Sequence, residues 1–420
     1  MNNSFDILFL AGLFPKEKED EIIGNSKGNV QNAANALQHG IASGLSANCP
    51  GQVRILNSLY VGPFPRLYKE LFIKTYNFSH VEGANDINIG YINLVGVKRL
   101  SRYITLKPYV RKWIKEKSDR KKVIIAYAAT ATFTRLLRYT KKLDSNIVTC
   151  LVVPDLPQYM NMTHRQSAIY RLLKGFEAKL IQSDTEYIDG FVLLTKQMRD
   201  ALHIEVPFVV IEGIATDTFE NMEDIPKNQE VTTFLYSGTL AAKYGIIDLV
   251  KAFQRLPDEN CRLVICGAGE TEEYIKNESK RDGRIVFKGL LKREDVLKLQ
   301  KTATVLINPR SNNEEYTKYS FPSKIIEYMA SGTPVISYKL NGVSEEYYDY
   351  LFTIDDGLGE DAIYFAIKDV LSKSEEELEE MGKRAKAFVL TEKSSNVQAG
   401  KILRLVEDIA NKNQMEICDA

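Results

Sequence analysis

The sequence predicts an α/β protein built from two doubly wound domains, and three observations carry that expectation. In the second half, short apolar runs alternate with helical patterns, the order that a parallel sheet covered on both faces requires. Those runs are apolar at nearly every position rather than at every second one, the mark of strands buried on both sides. Finally, 420 residues exceed what one core of ordinary size encloses, so the chain is expected to divide.

Taken in order, the first half has predicted strands at residues 7–11, 53–56, 123–126, 147–153 and 190–194. The stretch "NVQNAANALQHGIASGL" is its first helix. In the second half "VTTFLYSG" precedes a helix over 246–256, "CRLVICG" one over 271–281, and "RIVFKG" one over 293–302. "TVLINP" then leads to a helix over 323–330, and "TPVISY" closes the alternation. The polar, acidic segment "EGIATDTFENMEDIPKNQE" joins the halves, and residues 375–411 read as helical throughout. The expected division is an N-terminal domain over 1–205, a linker over 206–230, a C-terminal domain over 231–390, and a terminal helix over 391–420 that packs back toward the first domain. Two such domains facing one another bring the carboxyl ends of both sheets to one cleft, where open α/β sheets bind ligands.

Composition narrows the setting. Five cysteines without metal-type spacing fit buried thiols in a reducing cytoplasm better than a disulfide framework. The opening apolar run is too short to span a membrane and lacks a basic segment before it. The net charge of zero hides an uneven distribution. Residues 1–205 hold 28 Lys/Arg and 18 Asp/Glu, a net of +10, and residues 206–420 hold 27 and 37, a net of −10. Opposite halves point to different partners.

Four stretches carry candidate chemistry. In "SFPSKIIEYMASGTPVISY", Ser320 is placed to cap a helix and Pro322 suits its first turn. Free N–H groups at a helix start hold phosphate. Lys324 adds a full charge there, and Glu327, three residues on, can accept hydrogen bonds from a ribose diol. The plain alternative is a capped helix with a solvated Lys and Glu. In "LYSGTLAAKYGIIDL", Gly238 permits close backbone approach and Lys243 lies near the next helix start; a simple strand–turn–helix competes. In "VICGAGETEEY", Gly267 and Gly269 follow a strand, but Glu272 stands where a dinucleotide fingerprint needs its last glycine. In "TCLVVPDLPQYM", Asp155 sits past a strand end where an active-site carboxylate belongs, or caps a turn. No D-x-D, P-loop, H-E-x-x-H or G-x-S-x-G is present. A diphosphate would then be neutralised by cationic side chains and helix ends, with no metal and no cofactor.

Together these pieces resemble glycosyltransferase family 4 of the GT-B fold. The resemblance spans nearly the whole chain and is strongest over residues 234–338, in "YSGTLAAKYGIIDLVKAF", "LVICGAGE", "IVFKGLLKREDVLKL" and "FPSKIIEYMASGTPVIS". "VPDLPQYM" and "VVIEGI" are similar to a bacterial branch that builds capsule, exopolysaccharide or O-antigen. The resemblance implies a retaining transferase whose second domain binds a UDP- or GDP-linked sugar and whose first binds the acceptor. It places Glu327 on the ribose, Gly289, Leu290 and Leu291 at the nucleobase, and Gly238 and Thr239 at the diphosphate. Ser320, Phe321, Pro322 and Ser323 fall beside the donor sugar. Asp155 and Lys324 are the implied catalytic pair, with Lys243, Gly267 and Gly269 completing the donor site. The chain departs from the pattern at three places: Tyr319 replaces the first glutamate of E-x7-E, Thr239 and Tyr244 replace the usual phosphate-loop cations, and Pro154 precedes Asp155 in place of histidine.

The basic excess of the first half concentrates in "KRLSRYITLKPYVRKWIKEKSDRKK", residues 98–122, with Tyr103, Tyr109 and Trp113 among eleven basic residues. This stretch is expected to dock on an anionic membrane surface, so that the acceptor is a lipid-linked glycan at the inner face of the plasma membrane. No nucleic-acid partner is expected. Two other readings compete: a non-catalytic partner that keeps the fold, and a nucleotide-sugar epimerase.

Overall fold

The computed structural model describes residues 5–28, 30–156, 180–215, 219, 222, 230–354 and 359–418. The chain forms two compact units. One comprises residues 1–214 together with 395–420, and the other residues 215–394.

In the first unit the strands are β1 (Phe5–Ala11), β2 (Val53–Asn57), β3 (Phe72–Ile73), β4 (Tyr76–Phe78), β5 (Asp86–Asn88), β6 (Tyr91–Ile92), β7 (Lys121–Tyr127), β8 (Val148–Val153), β9 (Gly190–Leu193) and β10 (Phe208–Val210). The helices are α1 (Glu19–Asn25), α2 (Asn32–Asn48), α3 (Lys98–Lys115), α4 (Ala131–Leu143) and α5 (Met198–Ala201). The sheet order is β10-β9-β8-β7-β1-β2-β5-β4, parallel except for the β4–β5 pair at its edge, and β3 and β6 form a separate antiparallel pair. All six residues of β8 are buried, as a central parallel strand requires. β10 lies within the segment expected to be a linker; Phe208, Val209 and Val210 instead pair with Phe191, Val192 and Leu193, because an apolar run beside a sheet edge satisfies its backbone there. The chain's last helix belongs to this unit. Ala399, Ile402, Val406 and Ile409 join the core made by β1, β7 and β8.

The second unit holds β11 (Thr232–Ser237), α6 (Ile246–Gln254), β12 (Cys261–Cys266), α7 (Glu272–Arg281), β13 (Ile285–Gly289), α8 (Arg293–Thr302), β14 (Val305–Asn308), α9 (Ser323–Ala330), β15 (Val335–Tyr338), β16 (Phe352–Ile354), α10 (Glu360–Leu371) and α11 (Glu375–Glu392). The last helix of the chain, Ser395–Cys418, is α12. The helix expected over 375–411 therefore breaks, at Lys393–Ser394, where the chain passes from one unit to the other. The sheet is wholly parallel, in the order β13-β12-β11-β14-β15-β16. Numbered from β11, this is 3-2-1-4-5-6, the doubly wound arrangement whose strand order reverses between its first and fourth strands. That reversal lies between β11 and β14, and the loops beyond their carboxyl ends frame a crevice suited to a ligand.

Candidate active site

The crevice begins with glycines. β11 ends at Ser237, and Gly238 follows with φ +148°. A Cβ added there would lie 1.6 Å from Nζ of Lys324, so only glycine leaves the lysine its place. The loop after β12 packs against this turn: a Cβ on Gly267 would meet the Gly238 carbonyl oxygen at 1.8 Å, and one on Gly269 the Leu240 oxygen at 2.3 Å. Backbone bonds tie the turns together. Leu240 donates to Ala268 at 2.9 Å, and Gly267 donates to Gly289 at 2.8 Å. Gly238, Thr239, Gly267, Gly269 and Gly289 are thus brought to one end of one sheet. Gly289 has φ +67°, and the next residue, Leu290, is 81% exposed, an apolar side chain with no core contact at the expected nucleobase turn. Leu291 is half-buried.

α9 supplies the other wall. It begins at Ser323, with Pro322 at its N-cap and no side-chain cap bond. The expected cap, Ser320, lies outside the helix, and Pro322 precedes the first turn rather than opening it. The physical reason is Phe321, which is buried 5.4 Å from the Tyr347 ring and anchors the approach to the helix by packing. Ser323 is exposed. Lys324 is half-buried, with Nζ 3.3 Å from the Tyr236 hydroxyl and 4.5 Å from the centre of its ring. Burial lowers its pKa to about 8, and the positive charge of Arg310 pushes the same way against the upward pull of Glu327 and Cys266. Glu327 is held from two sides: Gln300 Nε2 donates to Oε1 at 2.8 Å, and Arg293 Nη1 lies 3.3 Å from Oε2. Gln300 also donates to Ser237 Oγ at 3.1 Å, which links α8 to the β11 turn. Tyr328 completes this layer: its hydroxyl accepts from the Ser237 N–H at 2.9 Å.

Lys243 stands exposed on the turn before α6, 5.1 Å above the Tyr316 ring. Arg310, two residues beyond β14, lies 4.9 Å over the same ring and 5.9 Å from that of Tyr244. Among the described residues, no carboxylate comes within ion-pair distance of Lys243, Arg310 or Lys324. Gln300, Tyr316 and Arg310 escaped the reading of the sequence. Arg310 lies two residues past the strand whose carboxyl end the strand order brings to the crevice, a placement that its own stretch of sequence does not mark.

Asp155 belongs to the first unit, exposed two residues past β8, where its charge adds to burial in pushing the Tyr127 hydroxyl well above its ordinary pKa. The rest of its motif, from Pro157, lies outside the described residues. Another polar row in this unit has the connectivity of a nucleophile, base and orienting acid. Ser46 Oγ is 2.7 Å from His80 Nε2, and His80 Nδ1 is 2.6 Å from Asp86 Oδ2. Ser46 sits in the last turn of α2, where the backbone presents carbonyls rather than N–H groups to a developing oxyanion. Asp86 also accepts from the backbone of Ile55 and His80, both at 2.8 Å. The row holds α2 to the sheet edge.

Among the described residues, no three His, Cys, Asp or Glu side chains gather as metal ligands, and no helix is long and apolar enough to cross a membrane.

Residues 217–388 match the family described as Glycosyl transferases group 1. The match falls within the second unit. The protein is a glycosyltransferase of the GT-B fold. No curated protein sequence matches the chain. Solved structures similar to it include a sucrose-phosphate synthase from Thermosynechococcus elongatus (17% identity, 96% of this chain and 99% of that one, TM-score 0.60). An E. coli structure titled trehalose-6-phosphate, bound with UDP-2-fluoro glucose, is 11% identical over 96% and 99%, with a TM-score of 0.61. A lipopolysaccharide outer core galactosyltransferase, WaaB, is 12% identical over 96% and 99%, with a TM-score of 0.59. At these identities the likeness is one of fold.

Proposed function

We propose that this glycosyltransferase is a retaining hexosyltransferase that takes its sugar from a UDP- or GDP-linked donor. Its acceptor is a lipid-linked glycan of a bacterial capsule, exopolysaccharide or O-antigen. One observation carries the donor reading. Glycine turns packed closely on one another at the strand ends bring Lys324 against Gly238 and the turn before α6 against Pro309, Lys243 and Arg310 share the Tyr316 ring, and Glu327 is oriented one turn away by Gln300 and Arg293. Fixed cations gathered at strand ends suit a diphosphate, and a carboxylate held in place suits a ribose. The similar E. coli structure was solved with UDP-2-fluoro glucose, and WaaB is named for lipopolysaccharide, which supports both parts.

The chemistry asked of the chain is modest. As the anomeric C–O bond breaks, negative charge grows on the departing diphosphate, and Lys324 and its neighbours are placed to stabilise it. The departing oxygen can take the acceptor's proton. Since side chains carry the counter-charge, activity should persist in EDTA; activity lost there and restored by Mn²⁺ would contradict this. The direct test is release of nucleoside diphosphate from a UDP- or GDP-sugar only when a glycan acceptor is present. Interconversion of the donor without release would identify an epimerase, and binding without either reaction a non-catalytic partner.

The cytoplasmic, membrane-docked setting rests on α3 and its approach. Val95, Leu100, Ile104 and Phe72 are exposed apolar side chains, and Lys107, Arg111, Lys112 and Lys115 line a groove of about 350 Å³ with Tyr139. Exposed apolar side chains on and near a helix rich in lysine and arginine fit an anionic leaflet. Trp113, expected at headgroup level, is buried beneath Lys122 and plays no part in this. Phosphatidylglycerol vesicles should co-sediment the protein at low salt, and Leu100→Glu with Ile104→Glu should release it. Protein that stays in the supernatant at low salt would favour a soluble acceptor.

A further inference from the structure

Arg310 is 7% exposed, and its Nε and Nη2 have no hydrogen-bond partner among the described residues. A buried guanidinium left this way is costly, because its charge has lost water and gained neither carboxylate nor carbonyl. Something else holds it in place. Tyr316 stacks beneath it and Tyr244 stands beside it, while Gly245, with φ +76°, lets its turn press so closely on Pro309 that a Cβ would lie 2.1 Å from the Pro309 oxygen. The Tyr316 hydroxyl is also buried and unpaired. The segment is therefore fixed by packing while Nε and Nη2 stay unpartnered. The guanidinium lies just past the carboxyl end of β14, beside the strand-order reversal, with Lys324 close enough to feel the charge.

We propose that Arg310, seated on Tyr316, is a diphosphate-binding residue that takes the place of the cations missing at Thr239 and Tyr244. Its planar fork offers two parallel N–H donors to adjacent phosphate oxygens, which a lysine cannot do. The Tyr316 hydroxyl donates to the same anion, and Lys243, on the same ring, screens it from the solvent side. The inference rests on the nucleotide-sugar reading above.

Titration calorimetry with UDP, GDP and ADP, each beside its monophosphate, tests it. The preferred diphosphate should bind Arg310→Gln about 10- to 100-fold more weakly, the range for hydrogen bonds to charged groups. The preference for diphosphate over monophosphate should shrink with it. Arg310→Lys, which keeps the charge without the fork, should lose part of that preference. Without ligand, Arg310→Gln should melt at or above the temperature of the unaltered protein, since an unpaired buried charge has been removed. Unchanged diphosphate affinity in Arg310→Gln would overturn the proposal. So would a lowered melting temperature with the preference intact, which marks a purely structural arginine. If Arg310→Gln does not fold, Arg310→Lys decides through the preference alone. An unaltered protein that binds none of the three diphosphates, yet binds inorganic pyrophosphate through Arg310, would keep the anion site and remove the nucleotide reading. Binding of neither would remove both.

Discussion

Among the described residues, each unit buries one arginine over tyrosine rings near the carboxyl ends of its strands, and the two are treated differently. Arg102, 5% exposed, donates through Nε to Ser58 Oγ at 2.8 Å and through Nη2 to the Ser58 carbonyl at 2.7 Å, with Tyr60, Tyr91 and Phe133 around it. Arg310 has the rings without the acceptors. Burial and stacking alone therefore do not identify a ligand-binding cation. What separates the two is whether the nitrogens have been answered. Where they have, the arginine is a strut between β2 and α3; where they have not, the fold sustains a deficit that a bound anion removes.

The largest expected effect lies on the answered side. Arg102→Met should lower the stability of the protein by about 3 kcal/mol, since it leaves a buried carbonyl and hydroxyl without donors. Denaturant unfolding would measure it, and a loss as small as that of Arg310→Gln would erase the distinction drawn here. Next comes Glu327, which is answered by Gln300 and Arg293 yet is read as a binding group. Glu327→Ala should weaken diphosphate binding by about 1.5–3 kcal/mol and leave the fold intact. An unchanged titration of the folded variant would make Glu327 a strut like Arg102.

The smallest effect concerns Lys324. Its free-state pKa of about 8 lies below the ordinary lysine value, and a bound diphosphate would raise it. Binding is then fully supported below about pH 8 and weakens as the pH rises through that value, by no more than about tenfold per unit. The same shift acts on folding with a different sign. The unfolded chain holds the proton up to its ordinary lysine pKa, so raising the pH from about 8 toward that value relieves the cost of burying the charge. Calorimetry across pH 7–10 would show affinity falling while thermal stability does not fall from this residue, and Lys324→Arg should flatten the affinity profile.

Most of the framework was legible because parallel strands buried on both faces leave unbroken apolar runs. α8 and α9 fall on the predicted residues, and β7, β8, β11 and β12 nearly so. The elements that escaped are short or lie at edges. β3, β4, β5 and β6 have two or three residues each, too few for a period to show, and β16 and β10 have three. Within the site, the glycine turns were legible because strand ends followed by glycine have a specific backbone meaning. Lys324 and Glu327 were legible from their helical spacing. Arg310, Gln300 and Tyr316 were not, because their role comes from three separate elements meeting, and nothing local in "NPRSNNEEYTKY" distinguishes an unpaired guanidinium from a solvated one. Ser320 misled because a serine before a helix usually caps it, whereas here Phe321 and Tyr347 set the entry. The basic stretch over residues 98–122 does not present all of its cations outward: Arg102 and Lys122 turn inward, Lys122 onto the carbonyls of Trp113 and Ile114 at the end of α3.

The discontinuity of the first unit bears on how the protein is made. Residues 215–394 are contiguous, so the second unit can finish folding once its last residue clears the ribosome. The first unit, although synthesised earlier, waits with part of its core open, because Ala399, Ile402, Val406 and Ile409 of α12 are among its buried residues. The usual amino-to-carboxyl order of domain completion is thereby reversed. Until the final helix emerges, apolar side chains of α2, β8 and β9 have nothing to cover them, and that interval is when a nascent chain is exposed to misassembly. A premature stop before Ser395 would leave a product whose second unit is whole and whose first lacks the buried residues of α12.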